Sequence, residues 1–412
     1  MKQSHFLFLQ GMQSSFFRRV GELLACKNCR VSRINLCAGD WLFWHGRHCE
    51  NYSGTPAAWS DYIGSFLEEK GVTDLVLVGE QRRYHKEAVQ AAKARGIKVI
   101  VTDFGYLRPD WIALEEQGMN GDSLLPKDFT QIAAMGHDLP AASLEPVSAD
   151  SEARMIFNDV VYYCANLLGW SFFPHYVRSD MRPNPFKGYC YSVMKWLRLG
   201  YDYRRTRDFV AAAEAGSYDY FLFAMQLEHD FQIVAYSRYV DMIEPLREVM
   251  QSFSAYGPED CRLIIKNHPC DLGIRGWRKI IAGMASEYNL EGRVHFVDGG
   301  TAIDRLAGRA CGLVTVNSTA GLRALQLGCP VKTLDQAIYS MKGLTWQESL
   351  DTFWSQVQPP DRQRVALFIK VIATKLHVRG VFFKEPGLTC GVNAFAEKLV
   401  RQDVGLRSGL RV

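Results

Sequence analysis

Short apolar runs that lack a polar face recur along this chain, each followed by a stretch of helical periodicity, and this alternation limits the possible folds more than any other feature. Phe6–Leu9, Val31–Cys37, Asp74–Val78 and Ile97–Thr102 read as strands, with helical stretches near Phe16–Leu24, Ala57–Lys70 and Glu87–Arg95 among them. A strand that is apolar on both sides must be covered on both sides, and the crossover helices of a parallel sheet provide that cover. The pattern restarts at Tyr220–Met225 and runs through Leu263–Lys266, Val294–Val297, Leu313–Val316 and Val331–Leu334. Two Rossmann-like halves are therefore expected, which suits 412 residues, since single cores stop growing near roughly 250–300. From Ser151 to about Ala215 the period is helical, with Ile156, Val160, Tyr163 and Leu167 on one face of a helix ending near Gly169. Beyond Pro359-Pro360, helices are expected at Arg362–Leu376 and near Val392–Arg401.

Composition narrows the setting. Hydrophobic residues make up 48% and charged residues 22%, an ordinary globular balance. The opening apolar run His5–Gln10 is one strand long and is followed by Arg18 and Arg19, which argues against a signal sequence, and no run reaches the ~20 apolar residues a membrane span needs. The eleven cysteines are scattered and odd in number, with Cys37 and Cys311 inside strand-like runs, which fits a reducing cytoplasm. Cys26-Lys-Asn-Cys29 has metal-ligand spacing, but no second pair or histidine cluster completes a zinc site, so no metal is expected. A net charge of +4 gives no reason to expect nucleic acid as a partner. Charge is concentrated instead between Arg178 and Arg207, where Arg182, Lys187, Lys195, Arg198, Arg204 and Arg205 interleave with Tyr189, Tyr191, Trp196, Tyr201 and Tyr203. Such a stretch suits an anionic membrane surface or acceptor, or else a solvated helix face with aromatic core contacts.

Four segments carry candidate chemistry. In Val314-Thr-Val-Asn-Ser-Thr-Ala-Gly321 a strand enters a hydroxyl-rich turn and then a helix, whose unpaired N–H groups, with Ser318 and Thr319, suit a phosphate; ordinary N-capping is the plainer reading. Leu263-Ile-Ile-Lys-Asn-His-Pro-Cys-Asp271 delivers Lys266 and His268 to a strand's carboxyl end, where a cation and an imidazole can hold a nucleotide phosphate and protonate it on departure. After Tyr220–Met225, Asp230 and Gln232 stand at a strand end, where a carboxylate can act as nucleophile, base or electrostatic stabiliser, or simply cap a helix. In Thr102-Asp-Phe-Gly-Tyr-Leu-Arg-Pro109, Asp103 offers an opposing carboxylate and Arg108 a group for an acidic sugar or phosphate; Gly105 and Pro109 equally suit a tight turn.

Taken together, Gln10-Gly11, Gly39-Asp40, Gly79-Glu80 with Arg82 and His85, Gly105-Tyr-Leu-Arg-Pro109, Asp230-x-Gln232-Ile233, Lys266-x-His268-Pro269, Asn317-Ser-Thr-x-Gly321 and Tyr339-x-x-Lys342-Gly-Leu-Thr345 resemble the KpsS/KpsC family of capsule β-Kdo transferases. The likeness runs from Phe6 to Trp354, and the length resembles the single-module KpsS type. Phe104, where a second acidic residue is usual, and His229 and Phe231 beside Asp230 depart from the pattern. The resemblance implies a GT-B fold, two Rossmann-like domains facing a cleft with an inserted helical segment. It divides the chain into an acceptor-side domain at 1–215, including the helical segment 151–215, a CMP-sugar domain at 216–360, and C-terminal helices at 361–412. It further implies CMP-β-Kdo as donor with no other cofactor, retention of the β configuration, a lipid (lysophosphatidylglycerol-type) or glycan acceptor, and other capsule biosynthesis or export proteins as partners. In that reading Asp230 is the nucleophile, Asp103 the base, and His268 the group that assists leaving CMP. Lys266, Asn317, Ser318, Thr319 and Gly321 hold CMP, and Gln232 and Arg108 meet the sugar carboxylate. The expected location is cytoplasmic and peripheral at the inner membrane. Two rivals stand beside it: a transferase for another CMP-nonulosonic acid or nucleotide sugar, which a donor screen separates, and a non-catalytic capsule assembly or export factor, which has no need for the Asp230, Lys266, His268 and Ser318 set.

Overall fold

The computed structural model describes residues 3–178, 185–228, 230–298 and 303–406; within the helix Pro185–Ala215, the side chains of Trp196, Arg198, Tyr203 and Arg205 also lie outside the described set, as do Arg182 and His229. Twelve strands are found among the described residues: β1 (His5–Phe8), β2 (Arg30–Asn35), β3 (Cys49–Asn51), β4 (Asp74–Val78), β5 (Lys98–Phe104), β6 (Trp111–Glu116), β7 (Tyr220–Ala224), β8 (Arg262–Lys266), β9 (Val294–Val297), β10 (Gly312–Thr315), β11 (Val331–Thr333) and β12 (His377–Arg379). They form two sheets, ordered β12-β6-β5-β4-β1-β2-β3 and β11-β10-β7-β8-β9. The α/β class and the pair of Rossmann-like units expected of a GT-B chain are both present.

In the first unit, β1 to β5 are parallel, and alternate residues of β1 face opposite covers. Phe6 and Phe8 join Phe16, Phe17, Val20 and Leu24 of the helix Phe16–Cys26, together with Phe395 and Leu399 of the helix Gly387–Arg401. Phe16 meets Phe395 edge-on at 5.4 Å between centroids. Burying each such ring contributes roughly 1.5–3 kcal/mol, so this aromatic layer holds the two helices against the sheet. The second unit is all parallel, and Phe221, Phe223, Leu263, Ile265, Val314 and Val316 share one face with Leu246, Val249 and Phe253 of the helix Ile243–Tyr256. Trp354 closes that layer, its indole donating to Ser252 Oγ at 2.8 Å.

Three expectations need correction. The first sheet is not purely parallel: β6 returns antiparallel to β5, and β12 pairs antiparallel with β6. The chain therefore divides into Met1–Leu125, Leu139–Asp180 and Lys370–Val412 as one unit and Pro126–Asp138 and Met181–Ile369 as the other. Residues 370–412 are not a separate tail, because Val392, Phe395 and Leu399 complete the first unit's core. Residues 181–215 belong to the second unit, where Val210 and Ala213 are buried and Glu214 pairs with Arg305. Finally, the helix Glu152–Leu168 does not bury the expected stripe: Ile156 and Leu167 are 56% and 59% exposed, and it is Tyr162 that is buried.

Candidate functional site

The second unit gathers its candidate residues where its parallel strands end. After β10, Ser318 is the N-cap of the helix Thr319–Gln326: its Oγ accepts from Ala320 N at 3.2 Å and its carbonyl from Gly321 N at 3.0 Å. Gly321 is required for packing: a Cβ there would stand 2.2 Å from the hydroxyl of buried Tyr339, which donates to the Ser318 carbonyl. The Asn317-Ser-Thr-x-Gly motif and the Tyr339 motif thus build one object, a turn clamped from behind by a tyrosine.

Asn317, expected to hold CMP, ties two loops together. Its Oδ1 accepts from Gln226 Nε2 at 2.9 Å, its N–H donates to Gln226 Oε1 at 3.0 Å, and its Nδ2 donates to the Gln232 carbonyl at 2.8 Å. The loop after β7, carrying Asp230, is thereby fastened to the hydroxyl turn after β10, the strand beside it. Asp230 caps the short helix Phe231–Val234, with Oδ1 accepting from Gln232 N at 3.0 Å, which fixes the carboxylate's orientation. The capping reading and the site reading are therefore compatible. Asp230, Gln232, His268, Ser318 and Thr319 are all half-buried, a degree of exposure that keeps a polar group reachable yet held.

On the other side of β7, β8 delivers Lys266, which is buried, with Nζ donating to the Asn267 carbonyl at 2.9 Å. Burial pulls its ammonium down to about 8, with Asp298 opposing and Lys195 reinforcing the shift. Asn267 binds Asp271 and Asp298, each at 3.1 Å, and Lys195 pairs with Asp298 at 3.2 Å. This frame places His268, whose Nδ1 accepts from Cys270 N at 3.1 Å and whose other ring nitrogen is then the protonated one. Sequence reasoning placed Lys195 only in the basic stretch and did not single out Asp298 or Gln226; nothing in their spacing marks them, since each acts on a strand end far away in the chain.

Asp103 and Arg108 belong to the first unit and form their own group. Asp103 is the penultimate residue of β5, its Oδ1 accepting from Phe104 N at 2.7 Å, and the Arg108 guanidinium lies 5.0 Å from the Phe104 ring centroid. A Cβ on Gly105 would meet the Trp111 carbonyl at 2.6 Å, so this glycine serves the tight β5–β6 return. His377 from β12 holds that return, Nε2 accepting from Tyr106 N at 2.9 Å, and burial lowers its imidazole to about 4.

The Gln10-Gly and Gly39-Asp motifs, to which sequence reasoning assigned no role, make a buried network. Gln10 Nε2 donates to Asp40 Oδ2 at 3.0 Å, as does Leu36 N, and Tyr162 donates to Asp40 Oδ1 at 3.2 Å. Arg33 approaches the same carboxylate at 3.6 Å. Gly39 has no room for a Cβ, which would stand 2.4 Å from the Tyr162 ring. Nearby, His85 is fully buried and lowered to about 3; its Nδ1 bonds to Val78 and Gly79 carbonyls while Nε2 has no partner.

Comparison with known proteins decides the family, because residues 73–383 match the model of the capsule polysaccharide biosynthesis proteins. The chain belongs to that family. It is 30% identical over 381 residues to the capsule polysaccharide export protein KpsS of Escherichia coli, spanning 92% of this chain and 96% of that one. It is 28% identical to the capsule polysaccharide modification protein LipB of Neisseria meningitidis serogroup A, over 92% of this chain and 91% of the other. Among solved structures, the β-Kdo 2,7 transferase of Thermosulfurimonas dismutans KpsC aligns over 97% of this chain and 99% of its own at 11% identity, with a TM-score of 0.46. Among the described residues of this capsule-family chain, no helix is long and apolar enough to cross a membrane.

Proposed function

We propose that this capsule-family chain is a retaining glycosyltransferase that moves Kdo from CMP-β-Kdo to a lipid-linked, lysophosphatidylglycerol-type or glycan acceptor. The observation that carries the reading is the Asn317 bridge, which fastens an oriented carboxylate, Asp230, to a hydroxyl-rich helix start, Ser318-Thr319, at one edge of one sheet. A nucleophile and a phosphate cradle held together in this way are what displacement of a nucleoside monophosphate requires. An export or scaffold role gives no reason to keep those groups half-buried and fixed.

In the proposed reaction an Asp230 carboxylate oxygen attacks the anomeric carbon of Kdo and the bond from that carbon to the CMP phosphate oxygen breaks. Ser318, Thr319 and the helix N–H groups stabilise the departing phosphate, His268 assists its departure, and Lys266 adds positive field from beneath. The acceptor hydroxyl then displaces Asp230 from the same carbon, its proton passing to a base, for which Asp103 is proposed. Two inversions give retention. CMP has one phosphate, so the protein's own donors suffice to hold it. Gln232 and Arg108 are proposed for the sugar carboxylate.

The acceptor's location gives the exposed helix Pro185–Ala215 a role. Tyr191, Val193, Met194, Leu197 and Tyr201 are exposed there beside exposed Lys187, Arg204 and Arg207, a mixture suited to an anionic inner leaflet and the capsule proteins assembled on it. Mass spectrometry of products from CMP-Kdo, other CMP-sugars and nucleotide-diphosphate sugars, each with lipid and glycan acceptors, tests the activity. Transfer from a different donor alone, or from none, sinks the reading. Phosphatidylglycerol vesicles should sediment the wild type at low salt and a Lys187→Glu, Arg204→Glu, Arg207→Glu variant much less; equal sedimentation removes the surface role.

A further inference from the structure

At the opposite, amino edge of the second sheet, three ligand-bearing residues meet that the sequence keeps far apart. Asp219 immediately precedes β7, Cys261 precedes β8 and Cys311 precedes β10. Each of these residues offers one ligand atom, and those three atoms all lie within 4.8 Å of one another. They are the one such trio of histidine, cysteine or acidic residues among the described residues. Cys26 and Cys29, whose spacing suggested a metal, are not part of such a group.

The strand order shows what the two thiols can do. β8 and β10 lie on either side of β7, and both neighbours are in register with it: Arg262 N donates to the Asp219 carbonyl at 3.0 Å and Cys311 N to the Tyr220 carbonyl at 2.9 Å. Strands two places apart are separated by about 9–10 Å, which exceeds the ~7 Å between Cα atoms that a disulfide tolerates. A metal ion removes that obstacle. With metal–sulfur bonds of about 2.3 Å in tetrahedral geometry, two thiolates stand roughly 3.8 Å apart, a separation that side chains reaching toward each other across the middle strand can meet. Asp219, on that middle strand's end, supplies a carboxylate from the exposed side, while Cys261 is buried and Cys311 half-buried. The third cysteine of the neighbourhood, Cys329, turns its sulfur to the Ala310 and Pro330 carbonyls at 3.7 and 3.4 Å and is not a ligand.

We propose that Asp219, Cys261 and Cys311 form a three-ligand site for a zinc-like divalent cation that ties together the amino ends of β7, β8 and β10. Two thiolates select a soft, borderline ion over magnesium or calcium, and water completes a tetrahedron on the solvent side. Loading the site releases the thiol protons to the buffer. The five residues of β7 place it about 17 Å from the Asp230 edge, so its role is structural and independent of the proposed transfer chemistry.

The test uses the reduced full chain, stripped with a chelator and titrated with cobalt(II), then with zinc. The proposal expects one equivalent of cobalt, with a thiolate-to-cobalt charge-transfer band and the visible bands of a tetrahedral ion, displaced by zinc. Asp219→Asn, at an exposed position, should weaken cobalt binding at least about tenfold while circular dichroism stays unchanged, and Cys311→Ser should abolish the charge-transfer band. Cys329→Ser and a Cys26→Ser, Cys29→Ser double variant should bind as the wild type does. Absence of the band in the wild type, binding untouched by both Asp219→Asn and Cys311→Ser, or a Cys261–Cys311 disulfide recovered by peptide mapping after mild oxidation would each overturn it.

Discussion

At the carboxyl edge of the first sheet, Gln10, Cys37, Asp40 and His85 are buried and hydrogen-bonded to the protein itself, whereas at the same edge of the second sheet Asp230, Gln232, His268, Ser318 and Thr319 are half-buried. Both groups come from motifs that the family resemblance picks out, and both lie where a Rossmann-like sheet offers its ligands. The difference is in how their bonding capacity is used. Asp40 is already occupied by Gln10, Leu36 N and Tyr162, and its charge is answered by Arg33. In the second sheet Asn317 and Gln226 bond each other and the neighbouring loop, while Ser318 caps its helix from a half-buried position. Motifs of one family can thus be wholly buried in one unit and stay half-buried in the other.

The largest effect that would break this contrast is expected at Asp230. Asp230→Ala should lower the transfer rate by about 10³-fold or more while the protein still folds and binds CMP, since the loss falls on the transition state. Retention of more than about a tenth of the wild-type rate would remove Asp230 as nucleophile. Next comes Asp40→Ala, which leaves Arg33, Gln10 and Tyr162 without their acceptor in a buried setting and should cost about 3–5 kcal/mol of stability in denaturant unfolding. CMP affinity of the folded variant should not change; a change would mean that the first edge is not purely architectural. Replacing Ser318 and Thr319 together by alanine should weaken CMP binding by roughly 1–3 kcal/mol in calorimetry. Unchanged affinity would send the donor elsewhere.

The two edges should also separate by pH. His85 and His377 are held below their ordinary value, at about 3 and about 4, so the unfolded chain binds more protons than the folded one once pH drops below about 6.5. Thermal stability should fall between pH 6.5 and 4, by up to about 1.4 kcal/mol per pH unit for each histidine, and His377→Gln should flatten part of that slope. Lys266 acts on the alkaline side: charged at pH 7 and losing its proton near pH 8, it should make CMP affinity decline by a few-fold from pH 7 to 9. Lys266→Met should bind more weakly at pH 7 and show no such decline.

What the sequence made legible follows from these environments. β4 and β9 have the bounds expected, and the other expected parallel strands shift by one or two residues, because a short apolar run between helices has few competing explanations; β3, three residues long and only partly buried, was not expected. β6 escaped because it ends in Glu115 and Glu116, both buried, and the Glu115 carboxylate is satisfied by Tyr106 at 2.6 Å and by Ser123, partners that no local pattern reveals. β12 is three residues long and follows a helix directly. The helix Glu152–Leu168 misled because its apolar stripe is exposed and Tyr162 is drawn inward by a carboxylate more than a hundred residues earlier. At the candidate site, residue type and strand end placed Asp230, His268 and Ser318 at the carboxyl ends of their strands, whereas the bridge made by Asn317 and the packing of Gly321 against Tyr339 depend on partners distant in the chain.

The pairing of β12 with β6 also sets a timetable for the newborn chain. Residues 116 and 377 bracket most of the second unit, so at about 5–20 residues per second the ribosome needs roughly 13–50 s to supply the strand that β6 awaits. Over that interval the outer rim of β6 is an open template, next to a hairpin whose Tyr106 N–H has yet to meet His377. The inserted unit, whose own five strands emerge consecutively, can finish folding first. Slow elongation between residues 116 and 377, or a gene shortened before codon 377, would therefore accumulate chains with a completed second unit and a sticky, unfinished first one.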